Sequence, residues 1–211
     1  MQHNNLLKKA ILALLLCVAM PCVNAQVAHV GDILCEGNAI VSPANYPSSG
    51  ATAIGIVFYV DDTGQHGWAI ALEDAGSYTW GSAPLPTYTN KRQAIYNIDG
   101  YENTRIVLES NSSNPAFNAV DFANGWYLPA IGQLNYLYGN LVEVNAGLAM
   151  VGGTVFPSTT SWEYWSSTIY SGSNVWALHS SGELTCPEWY HNFPLSPTSY
   201  YSKSVRAARN F

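Results

Sequence analysis

The chain has 211 residues, of which eight are Lys or Arg and fourteen are Asp or Glu, so its formal net charge at pH 7 is −6. That balance argues against a nucleic-acid-binding protein, because affinity for nucleic acid comes largely from phosphate neutralisation by Lys and Arg. Only 10% of the residues are charged whereas 13% are aromatic, so we expect a surface that recognises ligands through hydrogen bonds and ring faces.

The first 25 residues have the features of a secretory signal peptide. Lys8 and Lys9 form a basic start, an apolar run of eleven residues follows from Ala10 to Met20, and Val23-Asn24-Ala25 fits the small-x-small cleavage rule. Eleven apolar residues are too few to span a bilayer. We therefore expect an exported protein without a transmembrane segment that begins at Gln26 and carries six basic against fourteen acidic residues. Its destination is the extracellular space, the cell surface or the periplasm.

Two cysteines, Cys35 and Cys186, remain in the mature chain. An even pair in an oxidising compartment is a candidate for a disulfide, and the alternative is two separate buried thiols. Two isolated cysteines lack the paired spacing of zinc ligands, so we expect neither a metal site nor a cofactor.

The first strong structural pattern is a β-hairpin. Residues 53–60 are β-branched and aromatic, Asp61-Asp62-Thr63-Gly64 supplies turn chemistry, and residues 67–72 form the returning strand. Residues 26–52 are predicted to be a lead-in segment, so the predicted domain covers residues 53–211. Residues 74–93 hold Gly, Pro, Ser and Thr between aromatic residues and are predicted to form a loop.

Helical patterns occupy the middle of the chain. One helix is predicted over Tyr101–Glu109, and a second over Pro115–Ala123, which Gly125 would end. A third begins at Ala130, and its apolar residues recur at intervals of three and four until Gly152-Gly153 ends it.

Short strands are predicted in the remainder of the chain. They cover residues 164–168, 174–179, 183–186 and 202–209. An order of strands, then helices, then strands is typical of an α+β domain with an antiparallel sheet.

Four spaced segments carry a resemblance to a known family. They are Gly55-Ile56-Val57-Phe58-Tyr59 with Gly67-Trp68, Gly125-Trp126-Tyr127-Leu128-Pro129-Ala130 before Gln133-Leu134, Tyr164-Trp165-Ser166-Ser167-Thr168, and Val205-Arg206-Ala207-Ala208-Arg209-Asn210-Phe211. In this order the chain resembles the C-terminal domain of bacterial collagen-like adhesins, the Lcl-type domain, a branch of the C-type lectin-like superfold. The resemblance implies a C-type lectin-like fold with two to three packed helices, paired N- and C-terminal strands, and a variable loop region near the C-terminus that meets ligand.

Several motif residues are expected to be structural. Trp126 and Trp165 are predicted to pack in the core, and Ser166-Ser167-Thr168 to satisfy buried backbone groups, because no Gly-x-Ser-x-Gly elbow surrounds them. One of the two arginines of the last strand is expected to pair with a buried carboxylate such as Asp121 or Glu163.

Ligand contacts are predicted for aromatic and polar residues between the last strands. Tyr and Trp offer large rigid contact areas while Ser and Asn adapt their hydrogen bonding. The predicted ligand-binding residues are Tyr170, Asn174, His179, Trp189, Tyr190, His191, Asn192, Tyr200 and Tyr201. The expected partner is a glycan or protein of a host or a neighbouring cell. The Glu-Pro-Asn, Gln-Pro-Asp and Trp-Asn-Asp triplets of calcium-dependent lectins do not occur, so calcium is not expected.

Catalysis is not expected. Formylglycine-generating enzymes share the superfold and use a close cysteine pair, which Cys35 and Cys186 do not reproduce. Three non-enzymatic interpretations remain: an adhesin module that binds through residues 169–201, a C-type lectin-like receptor diversified by a retroelement, and a subunit of a pilus or another surface assembly. An exposed donor strand at either end of the chain would favour the third.

Overall fold

The computed structural model describes residues 27–81, 84–110, 113–158, 161–171, 174–182, 184–185 and 202–211. Eleven strands occur among them, namely β1 (Ile33–Cys35), β2 (Ile40–Val41), β3 (Ala53–Val60), β4 (Gly67–Ala71), β5 (Gly76–Tyr78), β6 (Trp126–Tyr127), β7 (Glu163–Ser171), β8 (Asn174–His179), β9 (Leu184–Thr185), β10 (Lys203–Val205) and β11 (Ala208–Asn210). The α-helices are α1 (Tyr46–Ser49), α2 (Lys91–Ala94), α3 (Gly100–Glu109), α4 (Pro115–Asn118), α5 (Ile131–Gly139) and α6 (Leu141–Val151). The predicted α+β class is confirmed. The longest helices are α3, α5 and α6, which have 10, 9 and 11 residues.

The strands form two sheets. Sheet A has the order β2-β1-β3-β4-β11-β6 and is antiparallel throughout. Sheet B has the order β5-β10-β7-β8-β9, and its pairs are antiparallel except for β10 against β7. None of the helices among the described residues has the length and apolar character needed to cross a membrane.

The predicted hairpin is confirmed as β3 and β4. Its turn is held by the Asp61 carboxylate, whose Oδ1 accepts hydrogen bonds from the backbone N–H and the hydroxyl of Thr63 at 3.1 and 2.7 Å. Gly64 follows with a φ of 71°, in the left-handed region that glycine adopts without steric cost. The predicted lead-in segment contributes β1, which pairs with β3 through Ile33 opposite Ile56.

The long helix predicted from Ala130 is two helices, α5 and α6. They meet at Asn140, whose φ of −117° and ψ of 22° are not helical. The Asn140 side chain donates hydrogen bonds to the carbonyls of Phe58 and Tyr136, at 3.0 and 3.2 Å. An apolar repeat at helical spacing continues across this break, so the break depends on a contact with β3 that periodicity does not encode. Gly152 ends α6 with a φ of 76°, as predicted.

The loop predicted over residues 74–93 is partly wrong, because it contains β5 and α2. β5 is an edge strand whose backbone pairs with β10, with Ser77 opposite Ser204. Its residues Gly76-Ser77-Tyr78 have little apolar character, so only the tertiary pairing defines it. α2 begins after Asn90, whose side chain accepts a hydrogen bond from the backbone N–H of Arg92 at 2.8 Å and so caps the helix.

Two groups of buried side chains form the core. The larger joins sheet A to α5 and α6 and includes Ile33, Phe58, Ile70, Leu137 and Leu148. The second is formed by Trp80, Phe117, Trp165, Val175 and Val205. Burial of both groups supplies the main favourable free energy of folding.

Cys35 is a buried free thiol at the end of β1. Its Sγ lies 3.8 Å from the carbonyl oxygen of Ile33, and burial raises the pKa of the thiol. The structure therefore does not contain the predicted bridge at Cys35, and Cys186, its predicted partner, lies outside the described residues.

Candidate functional site

The segments that carry the family resemblance meet in one place. The backbone N–H of Ser167 donates to the carbonyl of Pro129 at 2.9 Å, and the N–H of Ile131 donates to Thr168 Oγ1 at 3.0 Å. The last strand pairs with the Gly-Trp-Tyr-Leu-Pro-Ala segment through Ala208 opposite Tyr127. These contacts join sheet A, sheet B and α5, so the motifs form a common scaffold.

The Ser-Ser-Thr hydroxyl groups of β7 are used for this scaffold. Ser166 Oγ donates to the carbonyl of Trp176 at 2.7 Å, and Thr168 Oγ1 donates to Asn97 Oδ1 at 2.8 Å. Ser167 Oγ accepts from Asn103 Nδ2 at 3.1 Å. All three residues are buried, which confirms their predicted structural role.

The two tryptophans of the motifs differ in burial. Trp165 is 3% exposed and its indole N–H donates to the carbonyl of Tyr78 at 2.7 Å, so its predicted core position is confirmed. Trp126 is only half-buried, and the guanidinium of Arg209 lies 5.8 Å from its ring centroid.

Arg206 is buried between the two sheets, and its carboxylate partner is Asp74. Arg206 Nε lies 2.5 Å from Asp74 Oδ1, and Nη1 donates to the carbonyl of Thr154 at 2.7 Å. The guanidinium also lies 4.3 Å from the ring centroid of Phe156. The expected partners Asp121 and Glu163 were therefore wrong for Arg206. Asp74 is 132 positions away in the chain, and no local pattern marks it.

Tyr170 and Asn174 lie at the end of sheet B where β7 turns into β8. Tyr170 is only 8% exposed, and its ring meets that of Trp176 edge-on at 5.4 Å and 80°. Tyr170 is thus part of the core and does not offer a ring face to solvent. Asn174 is half-buried, and its Oδ1 is buried without a hydrogen-bond donor among the described residues.

His179 lies at the other end of β8, and neighbouring hydroxyl groups engage both of its ring nitrogens. Nδ1 accepts from the backbone N–H of Ser181 at 3.1 Å, and Nε2 lies 3.0 Å from Ser161 Oγ. His179 is five positions after Asn174 along β8, which corresponds to about 17 Å in a strand.

The described structure therefore does not bring Tyr170, Asn174 and His179 into one site. The other six predicted ligand-binding residues, Trp189, Tyr190, His191, Asn192, Tyr200 and Tyr201, lie outside the described residues. The strands that flank them are β9, at one edge of sheet B, and β10, next to the opposite edge. The connection between these strands thus begins and ends on sheet B.

Groups suited to metal binding do not cluster in the described part of the chain: no three or more His, Cys, Asp or Glu side chains come together there as metal ligands would. Two features that sequence reasoning missed are Asp74, described above, and a surface cluster of Tyr59, Trp68 and Tyr136. Tyr59 and Trp68 were assigned only to the hairpin, and Tyr136 only to a helix. Their proximity depends on the packing of α5 against sheet A.

No description of a known protein family matches the chain, and no curated protein matches it. Among solved structures, the chain is similar to a fimbrial protein from Bacteroides ovatus, with a TM-score of 0.62 and 17% sequence identity. The matched region covers 87% of this chain and 49% of the fimbrial protein, so the chain spans about half of that protein's length. At this level of identity the similarity shows a shared fold.

Proposed function

We propose that the chain is an exported, non-catalytic subunit of a bacterial surface assembly of the fimbrial type. The observation that carries the proposal is the structural similarity to the fimbrial protein, which extends over 87% of this chain. The basic start, apolar run and small-residue cleavage site within residues 1–25 support export. The low content of charged residues is in keeping with a surface that associates through hydrogen bonds and aromatic rings.

The sheet order limits how such a subunit would associate. Strand donation between subunits requires a free strand and an open sheet edge. β11 lies inside sheet A, between β4 and β6, so it is not free to leave. The edge strands β2, β5, β6 and β9 have two or three residues each, and short edges disfavour strand addition. We therefore expect subunit contacts through side-chain surfaces or through residues outside the described ranges.

The test is to locate the full chain, carrying an epitope tag, in its native bacterium. Protease treatment of intact cells followed by blotting reports surface exposure, and sedimentation of sheared surface material reports assembly. The proposal predicts that the tagged chain is cleaved on intact cells and sediments with high-mass material. A chain that is protected from protease and sediments as a monomer would contradict it.

A second proposal is that the same chain binds a glycan or protein ligand through residues 169–201, as a C-type lectin-like adhesin would. It is supported by composition: Trp189-Tyr190-His191-Asn192 lies between Pro187 and Pro194, and binding surfaces favour such a mixture of aromatic and polar side chains. Replacement of Trp189 and Tyr190 by alanine should abolish binding to a glycan and matrix-protein array, with and without a calcium chelator. The control is Trp165→Ala, which we expect to destabilise the fold by about 3–5 kcal/mol.

The two variants separate a ligand site from a structural element. If the Trp189/Tyr190 double variant loses as much stability as Trp165→Ala, these residues belong to the core and the ligand proposal fails. If it keeps its stability and its binding, the ligand contacts lie elsewhere.

A further inference from the structure

Three aromatic side chains form a surface corner where the β3–β4 hairpin meets α5. The rings of Tyr59 and Trp68 are stacked, with centroids 4.2 Å apart and planes inclined by 25°. Tyr136 of α5 lies against both, with its centroid 4.8 Å from Tyr59 and 5.7 Å from Trp68. Tyr136 is 43% exposed, and the other two rings are half-buried. This aromatic corner closes one end of the larger core and still offers ring surface to solvent.

Two carboxylates adjoin the corner. Asp61 and Asp62 directly follow Val60, the last residue of β3, and so lie two and three positions after Tyr59. Asp61 is half-buried and Asp62 is exposed. The hydrogen bond from the Thr63 hydroxyl holds the pKa of Asp61 below its ordinary value, so this group is charged at neutral pH. Burial is the largest cause that raises the pKa of Tyr59, and Tyr136 and the charges of Asp62 and Asp61 raise it further. The two carboxylates are thus close enough to Tyr59 to act on its hydroxyl electrostatically.

Four of the cationic side chains among the described residues are engaged elsewhere. Lys203 lies 5.1 Å from the ring centroid of Trp165, and Arg206 and Arg209 lie over other rings. Arg105 is bound by two glutamates on α3. The cation–ring contacts of the described residues include none to Tyr59, Trp68 or Tyr136. The aromatic corner thus combines ring faces with carboxylates, and none of the cation–ring contacts in the described ranges uses its rings.

We propose that the aromatic corner binds a lysine or arginine side chain presented by a partner protein. A cation near an aromatic ring face is attracted by the ring's quadrupole, and the carboxylates of Asp61 and Asp62 add an attraction that depends on salt concentration. The charge of the corner is complementary to a basic segment, and Tyr136 provides the accessible ring. This inference goes beyond the proposed function, since it holds whether or not the chain is an assembly subunit.

The test is a titration of the full exported chain with the peptide acetyl-Gly-Lys-Gly-Lys-Gly-amide at low salt and neutral pH. Binding is followed through the indole N–H resonance of Trp68 in an NMR spectrum, which the variant Trp68→Phe identifies. The same peptide with acetylated lysines has equal length without charge and serves as the neutral probe. Tyr136→Ala removes the accessible ring, and Tyr136→Phe keeps it. Tyr96→Ala is the matched control, because Tyr96 is 80% exposed and lies outside the corner.

We expect the charged peptide to shift the Trp68 resonance saturably and the acetylated peptide to bind at least tenfold more weakly. Tyr136→Ala should weaken binding about two- to fivefold, the effect of losing one exposed cation–ring contact. Tyr136→Phe and Tyr96→Ala should bind like the unmodified chain, and Asp62→Asn should reduce the salt dependence. Absence of a saturable shift, equal binding of both peptides, or equal effects of Tyr136→Ala and Tyr96→Ala would each overturn the proposal.

Discussion

Because Arg206 and Asp74 differ in exposure, we expect that replacing one partner destabilises the protein more than replacing the other. The side chain of Arg206 is 1% exposed, whereas that of Asp74 is 30% exposed. The substitution Asp74→Asn removes the negative charge, so the buried guanidinium keeps the carbonyl of Thr154 and the ring of Phe156 as neighbours but has no opposite charge beside it. The substitution Arg206→Met removes the buried charge and leaves the Asp74 carboxylate, which water can reach. The Tyr164 hydroxyl donates to that carboxylate, at 2.9 and 3.0 Å from its two oxygens.

The magnitudes follow from that difference in exposure. Leaving one partner of a buried ion pair without compensation costs about 3–5 kcal/mol, which is the destabilisation that we expect for Asp74→Asn. For Arg206→Met we expect a smaller loss of about 1–2 kcal/mol, because the hydrogen bonds to Asp74 and to the carbonyl of Thr154 are lost but no buried charge is left behind. Methionine also retains apolar contact with Phe156. The double variant should therefore be no less stable than Asp74→Asn alone.

The assay is equilibrium unfolding in urea followed by tryptophan fluorescence, with the free energy of unfolding obtained by linear extrapolation. Arg105→Met is the matched control, because Arg105 forms two ion pairs on α3 with side chains that are 39–63% exposed. Exposed pairs of this kind contribute little to stability because solvent screens them, so we expect Arg105→Met to leave the free energy of unfolding nearly unchanged. If Arg206→Met destabilises the protein more than Asp74→Asn does, uncompensated charge is not the dominant cost and the reasoning fails.

Three further predictions concern single buried groups. Burial raises the pKa of Tyr127 above its ordinary value. The stability contributed by its neutral form is therefore complete below about pH 10 and is lost as pH rises further. Urea titrations at increasing alkaline pH would measure this loss. Gly81→Ala should destabilise the protein far more than Gly50→Ala does, which thermal unfolding would show. Both glycines have a positive φ, but a Cβ on Gly81 would lie 2.7 Å from a backbone carbon, whereas no atom lies within 4 Å of a Cβ on Gly50. In a Cys186→Ser variant, Cys35 should not react with a thiol reagent until the protein is unfolded, because its side chain is buried and the pKa of the thiol is raised; rapid labelling of the native variant would contradict this.

The parts of the fold that could be predicted have local signals. The hairpin was visible because β-branched residues flank Asp61-Asp62-Thr63-Gly64, and Gly152 ended a helix at the predicted residue because its left-handed φ suits glycine. The errors occurred where tertiary contacts decide. The strand predicted over residues 202–209 is divided, because Arg206 lies between β10 in sheet B and β11 in sheet A. No periodicity in the sequence marks a change of sheet.

The candidate site was predicted less well than the fold, for a related reason. Residue type indicates that an aromatic side chain can bind a ligand, but it does not indicate whether the ring is exposed. Tyr170 was predicted to contact ligand and is 8% exposed, while Tyr136 was assigned only to a helix and is 43% exposed. Exposure depends on which face of an element the fold covers, and this is decided by residues distant in sequence.

The most recognisable sequence motifs of this chain carry little information about its ligand. Ser166 and Thr168 hydrogen-bond within the core, and Tyr127 and Ala208 pair where the last strand meets β6. These residues hold the scaffold together, so a resemblance based on them is evidence about the fold and not about the ligand. Function belongs to groups that the scaffold leaves exposed. For this chain those groups include the aromatic corner, where exposed ring surface and two neighbouring carboxylates are complementary to the basic partner proposed above.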